Sequence, residues 1–307
     1  MLGFKALGCK DASFLGFQSE ISRYCLRMQP QVEQLIDLAL SEDIGDGDVT
    51  STYFVPEEKQ SRAFMLVKDV GVIAGLDIAE RVYNKVDSSL VVKQLFKDGD
   101  KVKHGDRVME ITGSARSLLT AERVSLNFAQ RLSGIATKTS KFVELTEGTN
   151  AEILDTRKTT PGWRLLEKMA VKAGGGTNHR MGLYDRAMVK DNHLVAENGL
   201  EGLQQAILKL KANKPGVEVE LEADRLDQVE QFLTLDGVDY ILLDNMSNDQ
   251  LREAIVLRGD NPVKLEASGG VNLTTVADIS KTGVDFISVG AVTHSAIALD
   301  ISLEFVD

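Results

Sequence analysis

The sequence predicts an α/β protein whose larger part is a parallel α/β barrel. Three observations carry this. Six short apolar runs each close on polar or glycine residues: EILDTRK (152–158), AMVKDNH (187–193), VEVELE (217–222), DYILLDN (239–245), VKLEASGG (263–270) and DFISVGA (285–291). Most are separated by segments with apolar spacing of three and four, so strand and helix alternate every ~20–35 residues. No GxGxxG fingerprint occurs, which favours a barrel over a dinucleotide-binding sheet. Barrel chemistry sits at the C-terminal ends of the strands, where this chain concentrates its polar residues.

Taken in order, residues 1–28 stand apart, with four basic and two acidic residues and no clear period. They read as a disordered extension before a functional start at Met28, because Asp11, Glu20 and the missing apolar core disfavour a targeting segment. A helical pattern follows through Val32, Leu35, Ile36, Leu38 and Ala39 and ends in the acidic EDIGDGDVTS, 42–51. Residues 61–112 read as a small sheet with hairpins: RAFMLVKD, GVIAG, LVVKQLF and RVMEITG, punctuated by DGD (98–100) and HGD (104–106). The turns resemble those of a lipoyl-type carrier, but no carrier lysine sits at a hairpin tip. A helix is expected from Thr120, with Leu126, Ala129, Leu132 and Ile135 as its core stripe. In the barrel region GLEGLQQAILKLKAN, DRLDQVEQFLTL, NDQLREAIVLRG and LTTVADISKTG supply the helices, and Ser247 with Gln250 forms a capping box.

Length and composition exclude several classes. The 307 residues suggest about two domains at ~150 residues each. Cys9 and Cys25 are the only cysteines, against a disulfide scaffold or a cysteine zinc site. No apolar run approaches the ~18 residues of a membrane span, and a cytoplasmic location is expected. The net charge of −11 argues against a general nucleic-acid binder. Charge is uneven, however. Between Arg157 and Lys190, eight Lys or Arg stand against only Glu167 and Asp185. Either this is a solvated helix face or it is a cationic pocket for a small polyanion.

The strand ends supply candidates. Alternation in VEVELE places Glu218, Glu220 and Glu222 on one face. Carboxylates on a covered face need cations, a metal or solvent, unless the strand is an edge with a wet face. Glu220 is the central one, and Asp244 is expected at the equivalent position of the next strand. The turns Ser268–Gly269–Gly270 and Val289–Gly290–Ala291 follow consecutive strands and suit a phosphate cradle. Arg157, Lys158 and Lys190 at strand ends, with Arg180 after the GGG loop, suit anionic groups. His179 and His294 are assigned to anion binding, His193 to a structural role and His104 to a surface turn. No HxxxH or HExxH spacing occurs. The residues alone thus suggest a phosphate-bearing polyanionic substrate, opposed carboxylates and cations, and Mg2+.

The stretch TRKTTPGWRLLEKMAVKAGGGTNHRMGLYDRAMVKDNH (156–193) resembles the signature region of the quinolinate phosphoribosyltransferase family, the carboxylating nicotinate-nucleotide pyrophosphorylases. EDIGDGDVTS, AERVSLNFAQRLSGIAT, LEASGGV and ISVGAVTHSAIALDISLEF agree, so the resemblance covers roughly Val32 to Phe305. Trp163 and Met169 stand where other apolar residues are expected. The resemblance implies an N-terminal α/β sandwich (29–134, joined by 295–307) and an incomplete parallel α/β barrel (135–294) of the type II phosphoribosyltransferase kind. The helix-like segment after His294 would return to the N-terminal domain. It implies transfer from phosphoribosyl pyrophosphate to quinolinate with decarboxylation, giving nicotinate mononucleotide, pyrophosphate and carbon dioxide in NAD biosynthesis, with Mg2+.

Site roles follow from the same resemblance. Arg123, Thr156, Arg157, Lys158, His179, Arg180 and Lys190 would bind substrate. Lys158, Lys190, Glu220 and Asp244 would be catalytic, the two carboxylates also meeting the metal directly or through substrate. Ser268, Gly269, Gly270, Val289, Gly290, Ala291 and His294 would hold the 5′-phosphate. Arg123 would reach the barrel of a second copy, so that active sites are shared in a homodimer or a higher oligomer. Two rival readings are a related pyrophosphorylase-like protein associated with molybdate transport and a catalytically inactive ligand sensor. The complete TRKTTPG…NHR set and the intact charged positions argue against them.

Overall fold

The computed structural model describes residues 30–190 and 199–306. The extension assigned to 1–28 and the structural role given to His193 lie outside them. Residues 30–44 form helix α1, in which Val32 and Ile36 of the expected pattern are buried together with Leu40, while Leu38 is exposed. Of the described residues, 30–48 form one unit and those from Val49 to Val306 another.

The second unit opens with α2 (Val49–Phe54), β1 (Gln60–Val67), β2 (Gly71–Val72), α3 (Leu76–Val86), β3 (Val91–Gln94), β4 (Lys101–Val102) and β5 (Arg107–Ser114). Strands β1, β3 and β5 pair antiparallel in one sheet, while β2 and β4 pair separately. Helix α4 (Ala115–Leu145) begins five residues before Thr120, because the Ser114 hydroxyl accepts from Ser117 N–H and caps it. Leu126, Ala129, Leu132 and Ile135 are all buried along it. The helix runs through the boundary expected at 134/135 without a break.

The barrel elements follow: β6 (Glu152–Leu154), α5 (Arg164–Ala173), β7 (Arg186–Val189), α6 (Gly199–Asn213), β8 (Glu218–Ala223), α7 (Leu226–Phe232), β9 (Tyr240–Asp244), α8 (Asn248–Arg258), β10 (Lys264–Ser268), α9 (Val276–Ser280), β11 (Phe286–Ser288) and α10 (Ala291–His294). Each expected run contributes a strand to one parallel six-stranded sheet, ordered β6-β11-β10-β9-β8-β7. The curl is open between β6 and β7, where an isolated bridge joins Leu154 and Thr177. The capping box closes at α8, with Gln250 N–H on the Ser247 hydroxyl and Ser247 N–H on the Gln250 side-chain Oε1.

One element differs in type. The segment after His294, read as helix-like, is strand β12 (Ile301–Val306). It pairs antiparallel with β1 at the edge of the N-terminal sheet. Apolar Ile301, Leu303 and Phe305 alternate with polar Ser302 and Glu304, which is the period of a strand.

Candidate active site

At the C-terminal ends of the parallel strands lies a cavity of about 700 Å³. Thr156, Arg157, Lys158, His179, Arg180, Lys190, Asp244, Ser268, Gly269, Gly270, Gly290, Ala291 and His294 line it. These thirteen expected site residues come from five different strand ends and the loop after α5, which is how a barrel assembles a site.

The cationic stretch divides by role. Arg157, Lys158, Arg180 and Lys190 face the cavity. Most of its other cations serve the scaffold. Lys168, 1% exposed, pairs with fully buried Asp155 and donates to the His179 carbonyl at 2.9 Å. Asp155 also accepts from Asn178 Nδ2 at 2.7 Å and from the His179 N–H at 2.9 Å. Burial presses both members of this pair toward their neutral forms, raising Asp155 and lowering Lys168. Arg164 braces the loop through Met181 O at 3.0 Å and Arg157 O at 3.3 Å. Arg186 pairs with Glu218 at 2.8 Å and lies over the Tyr240 ring.

Buried Glu167 accepts from Arg131 and from the Thr160 hydroxyl, both at 2.8 Å. Arg131 also donates to Thr293 O and Ala296 O, tying α4 to both the 157–162 loop and α10. Trp163, one of the departures from the family pattern, stacks on Phe128 of α4 with centroids 4.7 Å apart. The glycine loop comes close to the same helix. A Cβ on Gly174 would meet Ala136 O at 2.4 Å. What holds the cations at the mouth is therefore a network on α4 and α5, with Asp155 at its centre.

The strand-end carboxylates lie at different depths. The three glutamates of β8 do share one face, and each meets a cation. Glu218 meets Arg186, Glu220 meets His179 and Arg186, and Glu222 meets Lys190. β8 lies between β7 and β9, so the wet-edge alternative does not apply. Glu220 is 0% exposed and does not line the cavity; Glu222, two residues nearer the strand end, does. Nor is Asp244 level with Glu220, whose partner across the ladder is Tyr240. Val289 is also buried off the cavity, its N–H held by Leu154 O at 2.9 Å. Arg123 is exposed on α4, near Glu122 at 3.7 Å, and lines no part of the cavity in its own chain.

His179 has a different setting from the one expected. Its Nε2 lies 3.2 Å from Glu220 and 3.4 Å from Glu266, and its Nδ1 accepts from Arg180 N–H at 2.7 Å. Burial opposes protonation, while the two carboxylates lift the imidazole to about 9. The amide on Nδ1 works against a second ring proton, because that proton would face the amide hydrogen. The carboxylates themselves split. Burial and the Glu266 charge raise Glu220. For Glu266, burial is outweighed by the nearby His179 and the hydrogen bond from Ser288, which hold it low. His179, Glu220 and Glu266 could also form a metal-ligand set, but Arg186 Nη1 at 3.7 Å from Glu220 supplies a cation already.

Sequence reading missed several lining residues: Met188, Leu242, Asn245, Glu266, Val271 and Ser288. Asn245 is the one described non-glycine residue with positive φ, at 55°. A local signal existed, since Asn tolerates this conformation and follows directly on the strand. Next to it, Gly269 has φ 97°, and a Cβ there would meet Asn245 Oδ1 at 2.1 Å. A crowded glycine turn of this kind can present backbone N–H groups to an anion. Electrostatics point the same way: burial and neighbouring Arg157 hold Arg180 below its ordinary value, so an arriving anion relieves repulsion among the cations.

Comparison with known proteins gives the family. Profiles for the N-terminal and C-terminal domains of quinolinate phosphoribosyl transferase match residues 48–133 and 135–304. The chain belongs to the quinolinate phosphoribosyltransferase family. A tobacco (Nicotiana tabacum) relative, quinolinate phosphoribosyltransferase [decarboxylating] 2b, mitochondrial, is 44% identical over 289 residues, covering 89% of this chain and 82% of that protein. A Bacillus subtilis relative, a probable nicotinate-nucleotide pyrophosphorylase [carboxylating], is 40% identical over 89% of this chain and 93% of its own. The solved nicotinate-nucleotide pyrophosphorylase of Francisella tularensis superposes with a TM-score of 0.84 at 39% identity, covering 90% of this chain and 96% of that one.

Proposed function

We propose that this chain transfers the phosphoribosyl group of phosphoribosyl pyrophosphate to quinolinate and releases carbon dioxide, yielding nicotinate mononucleotide and pyrophosphate. The observation that carries this reading is one cavity with Arg157, Lys158, Arg180 and Lys190 facing Glu222, Asp244 and two glycine turns. Quinolinate is a dicarboxylate, and the arginines offer it planar, two-pronged donors. The 268–270 and 290–291 turns, with His294 beside them, suit the 5′-phosphate.

Displacement at the anomeric carbon develops positive charge on the sugar, and Glu222 and Asp244 stabilise it from the wall. No general base is needed, because the attacking pyridine nitrogen carries no proton. Lys158 and Lys190 supply positive charge near the reacting carboxylate and pyrophosphate. The quaternised ring then takes up the electron pair left by the departing carbon dioxide. Mg2+ belongs to the same reading. Hard carboxylate oxygens of Glu222 and Asp244, rather than Glu220, would hold it, and when bound it would neutralise the leaving pyrophosphate.

The same reading makes the active unit a dimer or a higher oligomer, in which Arg123 completes the cavity of a second copy. Its exposure in the single chain supports this. Among the described residues, no helix is long and apolar enough to cross a membrane. Steady-state assays with phosphoribosyl pyrophosphate and Mg2+ test the substrate assignment. Turnover of quinolinate but not nicotinate is expected, and the reverse preference would contradict it.

A further inference from the structure

We infer that Glu266 is a positioning residue that fixes His179 and couples the quinolinate side of the cavity to the phosphate side. The inference rests on the functional reading above. Glu266 occupies the middle of β10 and is 0% exposed, although its side chain forms part of the cavity floor. A carboxylate so placed is costly unless both oxygens are held. One oxygen accepts from the Ser288 hydroxyl, and the other faces His179 Nε2 at 3.4 Å. Glu220 faces the same nitrogen at 3.2 Å, with Arg186 behind it at 3.7 Å.

The imidazole is thus gripped from two sides. Its Nε2 sits between two buried carboxylates, and its Nδ1 takes the Arg180 N–H at 2.7 Å. A shift of the ring therefore moves the Arg180 backbone, and with it a guanidinium that lines the cavity. In the other direction, Ser288 ends β11 and leads directly into the Gly290 turn. Glu266 itself lies two residues before Ser268. One carboxylate thus supports both subsites without needing to touch either substrate through its charge.

The test separates contact from charge. Glu266→Asp keeps the charge but withdraws the carboxylate by one methylene. Glu266→Gln keeps the reach, accepting from His179 while Ser288 rotates to accept from the amide. Glu266→Asp should raise the quinolinate KM about tenfold with kcat within about threefold, and Glu266→Gln should keep KM within about threefold of wild type. A folded Glu266→Asp protein with unchanged KM, or Glu266→Gln worse than Glu266→Asp, would overturn the inference. Should Glu266→Asp fail to fold, 15N imidazole spectra decide, with only four histidines in the chain. The wild type should show a His179 Nε2–H protected from exchange, identified by its loss in His179→Asn, and shifted in Glu266→Gln. No protected proton would overturn the assignment. Failure of the functional reading is distinct: the wild type itself would not turn over quinolinate.

Discussion

Replacing Glu222 by glutamine removes a negative charge from the cavity wall and leaves the core intact. The side chain is 15% exposed, and its partner Lys190 is 43% exposed. A pair this open contributes at most about 1 kcal/mol to stability. The effect should fall on the barrier instead. Loss of one preorganised charge stabiliser costs about 2.7–4 kcal/mol, or roughly 100- to 1000-fold in kcat. Glu220→Gln is the matched control. Glu220 lies two residues earlier, fully buried and off the cavity. Burial and Glu266 push it toward its neutral form, and an amide resembles a protonated carboxyl in shape and charge. Its kcat should stay within about fivefold of wild type, and its stability within about 1 kcal/mol, a melting shift of roughly 2–4 °C. Steady-state kcat at saturating substrates and a thermal melt on both variants provide the comparison. Equal losses of kcat in the two, or a fully active Glu222→Gln, would refute the assignment of depth.

Arg123→Ala and Lys190→Ala should each be nearly inactive but regain activity when co-refolded, up to about a quarter of wild type if subunits mix randomly into dimers. Inactive mixed dimers, verified by mass spectrometry, would confine Arg123 to its own subunit or remove it from the site. Lys168→Met leaves the Asp155 charge buried and the His179 carbonyl without its donor, so calorimetry should find a loss of about 3–5 kcal/mol. A loss below about 1 kcal/mol would show that the pair is not the centre of the scaffold. Gly269→Ala forces a side chain into positive φ and against Asn245, costing about 1–3 kcal/mol. It should raise the phosphoribosyl pyrophosphate KM about tenfold, and an unchanged KM would take that turn out of the phosphate subsite.

Much of the barrel was legible because a parallel strand buried on both faces reads as an apolar run, and its polar end marks the mouth. The cationic stretch pointed to an anion site even though only half its cations face the cavity. What alternation could not supply was depth. Glu218, Glu220 and Glu222 share a face, but which one reaches the mouth depends on stagger between strands, and stagger is a property of the assembled sheet. Counting toward the strand end would have favoured Glu222. Glu266 was hidden for a related reason: one carboxylate inside LEAS does not reveal that His179, 87 positions earlier, turns toward it. β12 was readable from its period of two, but the preceding SAIALD drew the segment toward a helix. Arg123 entered through the family resemblance alone, since it lies on a helix and not at a strand end.

The central claim is that this cavity joins ribose to the quinolinate nitrogen and then expels the adjacent carboxylate. Quinolinate labelled with 14C in the carboxylate next to the ring nitrogen tests it directly, incubated with phosphoribosyl pyrophosphate and Mg2+. The account predicts one labelled carbon dioxide per pyrophosphate released, with unlabelled nicotinate mononucleotide accumulating in step. Pyrophosphate release with the label retained in the nucleotide, or no labelled carbon dioxide from folded protein, would contradict it.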